Sequence, residues 1–251
     1  LQGDLAFVAD GSNGLTIYDV TEDPTDLDSG FFVSNIGGEK QQKPPLGRTV
    51  GIDVWSPPDD DSARYAFMAA GQRGVAVLDI SDVTDPQFIK IFEPIKIEDD
   101  NIIHADSRAV DVHVVGEHVI YSYSGFGVLV YTIEALLEPV PEGIDPTEIW
   151  QSGSAGYDYR PETVSEFRLH EQPGFEEVDA EALYMEHTEV GGRLVFYISY
   201  GHAGIARLDL SDPTTPVLLE VADTVGEAIS LAMSNGRLYV ADHEGGIAPF
   251  R

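Results

Sequence analysis

Apolar and polar residues alternate along this chain in short bursts, and the bursts recur. Leu5–Gly14 (LAFVADGSNG), Tyr65–Gly74 (YAFMAAGQRG), His118–Gly127 (HVIYSYSGFG), Val195–Gly204 (VFYISYGHAG) and Arg237–Gly246 (RLYVADHEGG) align without a gap. Each ends on a glycine and runs into a second apolar segment: LTIYDV, VAVLDI, VLVYTI, IARLDL and IAPFR. Short runs rich in aromatic and β-branched side chains, joined through a glycine turn, predict β-hairpins. Five residues before each closing glycine stands a small side chain: Ala9, Ala69, Ser122, Ser199 and Ala241. A small residue at a fixed strand position lets a neighbouring sheet pack close, so these five are expected at equivalent, buried positions.

The second strands run into turn-forming residues, as in Asp79-Ile80-Ser81-Asp82 and Asp209-Leu210-Ser211-Asp212-Pro213. Outer strands are then expected at Phe31–Ser34, Phe88–Phe92 and Val217–Val221. Inner strands are expected upstream of the hairpins at Val50–Trp55, Val110–Val115, Leu183–Val190 and Ile229–Met233. The closing glycines lie 60, 53, 77 and 42 residues apart, and a four-stranded propeller blade takes about 40–45. Such a unit cannot bury its own apolar face and has to stack on its neighbours. The expected fold is therefore all-β, one β-propeller domain over residues 1–251, with five visible blades of up to four antiparallel strands and one long insertion. The first repeat shows no inner strand and the last no outer one. The expectation is an unusual ring closure or a longer native polypeptide. Residues 134–182 read as the insertion or a degenerate blade, with a helical turn at Glu134–Leu137.

The strings AFVADGSNGLTIYDV, AFMAAGQRGVAVLDISDVTDP, YISYGHAGIARLDLSDPTTPVLLEV and RLYVADHEGGIAPF resemble LVIVD repeats. The third unit departs from that pattern: Tyr131-Thr132-Ile133 replaces the aspartate-bearing strand end, and no Ser-Asp-Pro turn follows. The resemblance implies a β-propeller of exported or surface proteins of bacteria and archaea, placed outside the cell, on its surface or in the periplasm. It implies no catalytic residue.

Charge changes the picture of partners. The chain has 14 Lys and Arg against 44 Asp and Glu, a net charge of −30. A polyanion would be repelled, so nucleic acid is excluded as a partner, and no apolar run is long enough to insert in a membrane. So large an excess destabilises a compact state unless salt screens it, which points to a saline, marine or halophilic setting. There is no cysteine, hence no disulfide or thiolate site.

Candidate chemistry is sparse. The seven histidines include His104, in the loop before an expected inner strand, and His202 and His243 in hairpin turns. Loops of these two kinds share a face of a propeller, so these three are the candidate ligands for a transition metal, which neutral imidazole suits. His113 and His187 are expected on inner strands. Asp23–Gly30 and Asp59–Asp61 gather carboxylates on turns and are the candidates for Ca²⁺, although neither has the full spacing of a calcium loop. Tyr123, Phe126 and Tyr200, at the edges of hairpin turns, are either an exposed binding patch or packing between blades. No Gly-x-Ser-x-Gly nucleophile motif occurs. The reading that follows is an exported or cell-surface scaffold, more an interaction protein than an enzyme, binding a protein partner through loops on one face. The alternative is a metal-dependent enzyme with a histidine-lined site.

Overall fold

The computed structural model describes residues 4–20, 32–38, 46–93, 96–98, 101–103, 107–147, 161–178 and 180–250. They form two compact units, the first of residues 1–104 and 133–161, the second of residues 105–132 and 162–251. The fold is an all-β, five-bladed β-propeller of small antiparallel sheets.

The first unit holds two sheets. Strands β1 (Leu5–Ala9), β2 (Gly14–Asp19) and β3 (Phe32–Gly37) make the first. Strands β4 (Gly51–Trp55), β5 (Tyr65–Ala69), β6 (Val75–Asp79) and β7 (Gln87–Phe92) make the second. A short hairpin, β8 (Lys96–Glu98) with β9 (Asn101–Ile103), follows; nothing in the repeat pattern announces it. The core of this unit packs Leu15, Ile17 and Ile36 with Ala66, Met68, Ala76 and Leu78.

The second unit holds three sheets. Strands β10 (Ala109–Val115), β11 (His118–Tyr123), β12 (Gly127–Thr132) and β13 (Ser165–Phe167) make the third. Strands β14 (Met185–Val190), β15 (Arg193–Ser199), β16 (Ile205–Asp209) and β17 (Val217–Ala222) make the fourth. Strands β18 (Ala228–Ser234), β19 (Arg237–Asp242) and β20 (Gly246–Phe250) make the fifth. The expected strands are thus present with ends moved by a few residues. Strand β13 had no signal in the repeat pattern. It comes from within residues 134–182 and pairs with β12, Val128 opposite Phe167. The expected helical turn is α1 (Ile133–Leu137).

The repeat equivalence holds in register. Ala9, Ala69, Ser122, Ser199 and Ala241 pair with Leu15, Val75, Val128, Ile205 and Ile247, in each case the residue after the closing glycine. Burial does not hold throughout. Ala69, Ser122 and Ser199 are fully buried, Ala9 is half-buried and Ala241 is exposed. What decides is whether a neighbouring sheet lies over the position: Ser199 Oγ donates to the Ile229 carbonyl of the fifth sheet at 3.1 Å.

Candidate functional site: the hairpin turns and the histidines

Three hairpin turns share one frame. In the first, the Asp10 N–H donates to Gly14 O, Asn13 N–H to Asp10 O and Gly14 N–H to Gly11 O. Ala70–Gly74 and Tyr200–Gly204 repeat the same three bonds. Both glycines of each turn sit at positive φ, +53° and +78° in the first, a backbone that glycine adopts without strain. The glycines and flanking strands are held while the tips face solvent: Ser12 and Asn13, Gln72, and His202 are exposed. The third and fifth sheets use a short 3-10 turn instead, Ser124–Phe126 and His243–Gly245.

The first and fourth sheets' frames and the 3-10 turn of the third sheet are also stitched to the entry of the next sheet. Thr49 N–H donates to Gly11 O at 3.0 Å, and Thr49 Oγ1 donates to Gly14 O. Ala182 N–H donates to Ser124 O, and Gly201 and Ala228 exchange both backbone bonds. These ties fix the turns against their neighbours. Two open clefts lie beside turns. One of about 710 Å³ is lined by Asp10, Ser12, Asn13 and Arg48 in the first unit. The other, of about 390 Å³, is lined by Gly125, His170, Glu176 and Glu181 in the second.

The aromatic residues at the turn edges do not form a surface patch. Tyr123, Phe126 and Tyr200 are 2%, 8% and 1% exposed, so packing is what they do. Tyr123 meets Phe126 edge to face at 5.5 Å, and the Arg168 guanidinium lies 5.4 Å from the Phe126 ring centre. The Tyr200 hydroxyl is buried without a hydrogen-bond partner, and burial pushes its ionisation up. Turn position alone leaves both alternatives open, because an aromatic at a hairpin edge points into the sheet stack as readily as out of it.

The histidines separate. His104 lies outside the described residues. His202 is at an exposed tip, 84% accessible and 4.0 Å from Glu227. His243 is exposed in the turn of a different sheet. Among the described residues no three His, Cys, Asp or Glu side chains are grouped for a metal ion. His113 and His187 do come together, on the inner strands β10 and β14, with ring centres 5.2 Å apart. Their surroundings are structural. His187 stacks on Phe196 at 4.9 Å. Asp111 Oδ2 accepts the Met185 N–H at 2.9 Å, and His113 Nε2 lies 3.0 Å from the Met185 carbonyl. Two side chains of the third sheet thus hold both polar groups of one residue in the fourth.

Part of the acid excess is turn chemistry. In Asp60-x-Ser62, Asp82-x-Thr84, Asp209-x-Ser211 and Asp212-x-Thr214 the aspartate accepts both the hydroxyl and the N–H of the residue two ahead. Those hydroxyl bonds, then the backbone ones, hold each carboxyl below its ordinary pKa. In the Asp59–Asp61 loop, Asp60 is used this way. Asp23–Gly30 lies outside the described residues.

No helix among the described residues is long and apolar enough to cross a membrane. No curated protein sequence matches this one significantly. Solved structures match in fold at low identity. The WD40 β-propeller domain of Doa1 aligns with a TM-score of 0.58 at 12% identity, over 100% of this chain and 62% of that one. Chaetomium thermophilum Raptor aligns at 0.62 and 10% identity, over 100% of this chain and 19% of that one. BBS1N, solved in complex with ARL6DN, aligns at 0.51 and 13% identity, over 98% of this chain and 58% of that one. The chain therefore spans less than two thirds of the length of each of these three chains. Residues 1–28 and 62–93 match the LVIVD repeat model, so the hairpins of the first and second sheets are LVIVD repeats on a β-propeller fold.

Proposed function

We propose that this propeller is a non-enzymatic scaffold, exported or displayed at a cell surface, that binds a protein partner through its hairpin turns. The observation that carries the reading is the repeated turn frame. Identical backbone bonds and paired glycines hold three turns rigid, while Ser12-Asn13, Gln72-Arg73 and His202-Ala203 differ at the tips. Rigid frames with variable tips are how a scaffold presents recognition residues. BBS1N, similar in fold, was solved in complex with ARL6DN; that supports the class of role and says nothing of the partner here. The net charge of −30 favours a partner with a basic surface and a saline setting.

A photo-crosslinking side chain placed in turn at Ser12, Gln72 and His202, and for comparison at exposed Val217 on β17, tests this against the exported and surface proteins of the source cells. Crosslinks to one partner from the tips and not from Val217 are the expected result. Crosslinks from Val217 alone would move the binding surface to the sheet edges. Stoichiometric transition metal in the purified protein, lost with His202→Ala or His243→Ala, would replace the scaffold reading by the metalloenzyme one.

A further inference from the structure

In the second unit each inner strand returns into the next strand through a two-residue turn. Val115 pairs with His118 across Gly116-Glu117, Val190 with Arg193 across Gly191-Gly192, and Ser234 with Arg237 across Asn235-Gly236. The first turn residue stands at positive φ each time, +59° at Gly116, +60° at Gly191 and +51° at Asn235. A hairpin this tight demands that backbone, which glycine takes freely and asparagine tolerates. Asn235 is the one non-glycine residue at positive φ among the described residues, and Gly236 follows it at +69°.

The chain carries a second Asn-Gly pair, Asn13-Gly14, and serine precedes both. The fold treats the two pairs differently. Asn13 Nδ2 donates to Asp10 Oδ2 at 3.2 Å, and the Gly14 N–H donates to the Gly11 carbonyl at 3.2 Å. The side-chain amide and the backbone nitrogen after it are thus both held, and Gly14 is buried. Asn235 and Gly236 are both exposed. Neither the Asn235 side chain nor the Gly236 N–H has a hydrogen-bond partner among the described residues. Nothing lies within 4 Å of the place a Gly236 Cβ would take.

We propose that Asn235 is a site of spontaneous covalent modification, converted to aspartate and isoaspartate by its own backbone, and that the fold selects it over Asn13. The Gly236 backbone nitrogen, its proton taken by hydroxide, bonds to Asn235 Cγ. The Cγ–Nδ2 bond breaks, and Nδ2 leaves as ammonia with a proton from water. The product is a cyclic succinimide, and water then adds to one of its two carbonyls. Opening at Cγ gives aspartate on the ordinary main chain. Opening at the main-chain carbonyl gives isoaspartate, whose main chain runs through the former side chain. One water is consumed and one ammonia released, and nothing is oxidised or reduced. Glycine leaves the attacking nitrogen uncrowded, and the unpartnered Gly236 N–H gives up no hydrogen bond to react. Either product adds a negative charge to the chain's −30. Isoaspartate also adds a carbon to the main chain between Ser234 and Arg237, the pair that closes the β18–β19 hairpin. Because hydroxide takes part, the conversion quickens as pH rises.

Incubation of the folded chain at mildly acidic and at mildly alkaline pH, beside a sample unfolded in urea, tests the proposal. Digestion in acid and mass spectrometry then follow the two peptides that hold the Asn-Gly pairs. In the folded chain the Asn235 peptide is expected to gain the mass of an amide-to-acid change, faster at the higher pH, and to split into separable aspartate and isoaspartate forms. The Asn13 peptide is expected to change about tenfold or more slowly. In urea the two are expected to react at similar rates, since both are Ser-Asn-Gly. An Asn235 that stays an amide in the folded chain at both pH values overturns the proposal. So does an Asn13 that keeps pace with it there. A preference for Asn235 that persists unchanged in urea also overturns it, because the local sequence and not the fold would then choose the site.

Discussion

In the second sheet the hairpin glycine Gly74 lies directly under the carbonyl of Phe92 on the outer strand; in the fifth, Gly246 has nothing within 4 Å of the place a Cβ would take. The two glycines have almost the same backbone, φ +79° and +74°. The hairpin therefore needs glycine for its own conformation, and the outer strand adds a second, independent need. Gly14, Gly127 and Gly204 share the second condition, under the carbonyls of Ile36, Phe167 and Ala222. The fifth sheet lacks an outer strand among the described residues and keeps only the first need. The same repeat unit thus carries different constraints depending on what is built onto it.

The largest effect expected from this contrast comes from alanine at the two glycines. Gly246→Ala meets only the backbone penalty of a conformation L-residues avoid, about 1–3 kcal/mol. Gly74→Ala meets that penalty and drives a methyl group into a backbone carbonyl that cannot move without unpairing β7 from β6. A loss above about 3 kcal/mol, or failure to fold, is expected. Urea unfolding of both variants checks it; equal losses would show that the outer strand yields and the close approach is unimportant.

The outer edge of the second sheet is closed as well, and this gives the next contrast. Ile91 N–H of β7 donates to the Pro146 carbonyl, and the ammonium of Lys90, fully buried, donates to the Ala135 carbonyl of α1 at 3.0 Å. Burial lowers the Lys90 pKa to about 8, and Glu138 pulls the other way. Between about pH 8 and its ordinary value of 10.5 the folded lysine is neutral while the unfolded one still binds a proton. The unfolded state then holds more protons, so Lys90 makes stability rise with pH across that window and leaves it flat below. The rise is roughly 3 kcal/mol over the full window. It is read as the wild-type unfolding free energy minus that of Lys90→Met, measured from pH 7 to 10.5. A difference that is constant with pH would mean the ammonium is not desolvated as the geometry implies.

The repeat was legible because stacking demands it: the alternation, the small residue and the closing glycine located the hairpins and three of the outer strands. Strand β13 was not, because its pairing with Val128 and Val130 needs only three residues of extended chain, too short to show a period. The aromatic edge residues stayed open between a surface patch and packing for a related reason. Tyr123, Phe126 and Tyr200 sit at turns, and only the neighbouring sheet decides that they point inward. His113 and His187 were legible as inner-strand residues. Their use in holding Met185 and stacking on Phe196 depends on the fourth sheet's position, which no spacing in the chain encodes.

The smallest expected effect concerns the alanines that define the repeat. Ala69 and Ala241 occupy the same register position, opposite Val75 and Ile247, yet Ala69 is 0% exposed and Ala241 faces solvent. Leucine at Ala69 has to displace close-packed neighbours, at a cost of about 1–3 kcal/mol. Leucine at Ala241 enters open space, and the expected change in the isolated chain is within about 0.5 kcal/mol. Chemical unfolding of both variants under the same conditions checks the pair. A comparable loss at Ala241 would mean that its face is covered in the single chain. A negligible loss at Ala69 would mean that the packing over the second sheet is loose enough to take three extra carbons, and the small residue would then mark the hairpin rather than the stack.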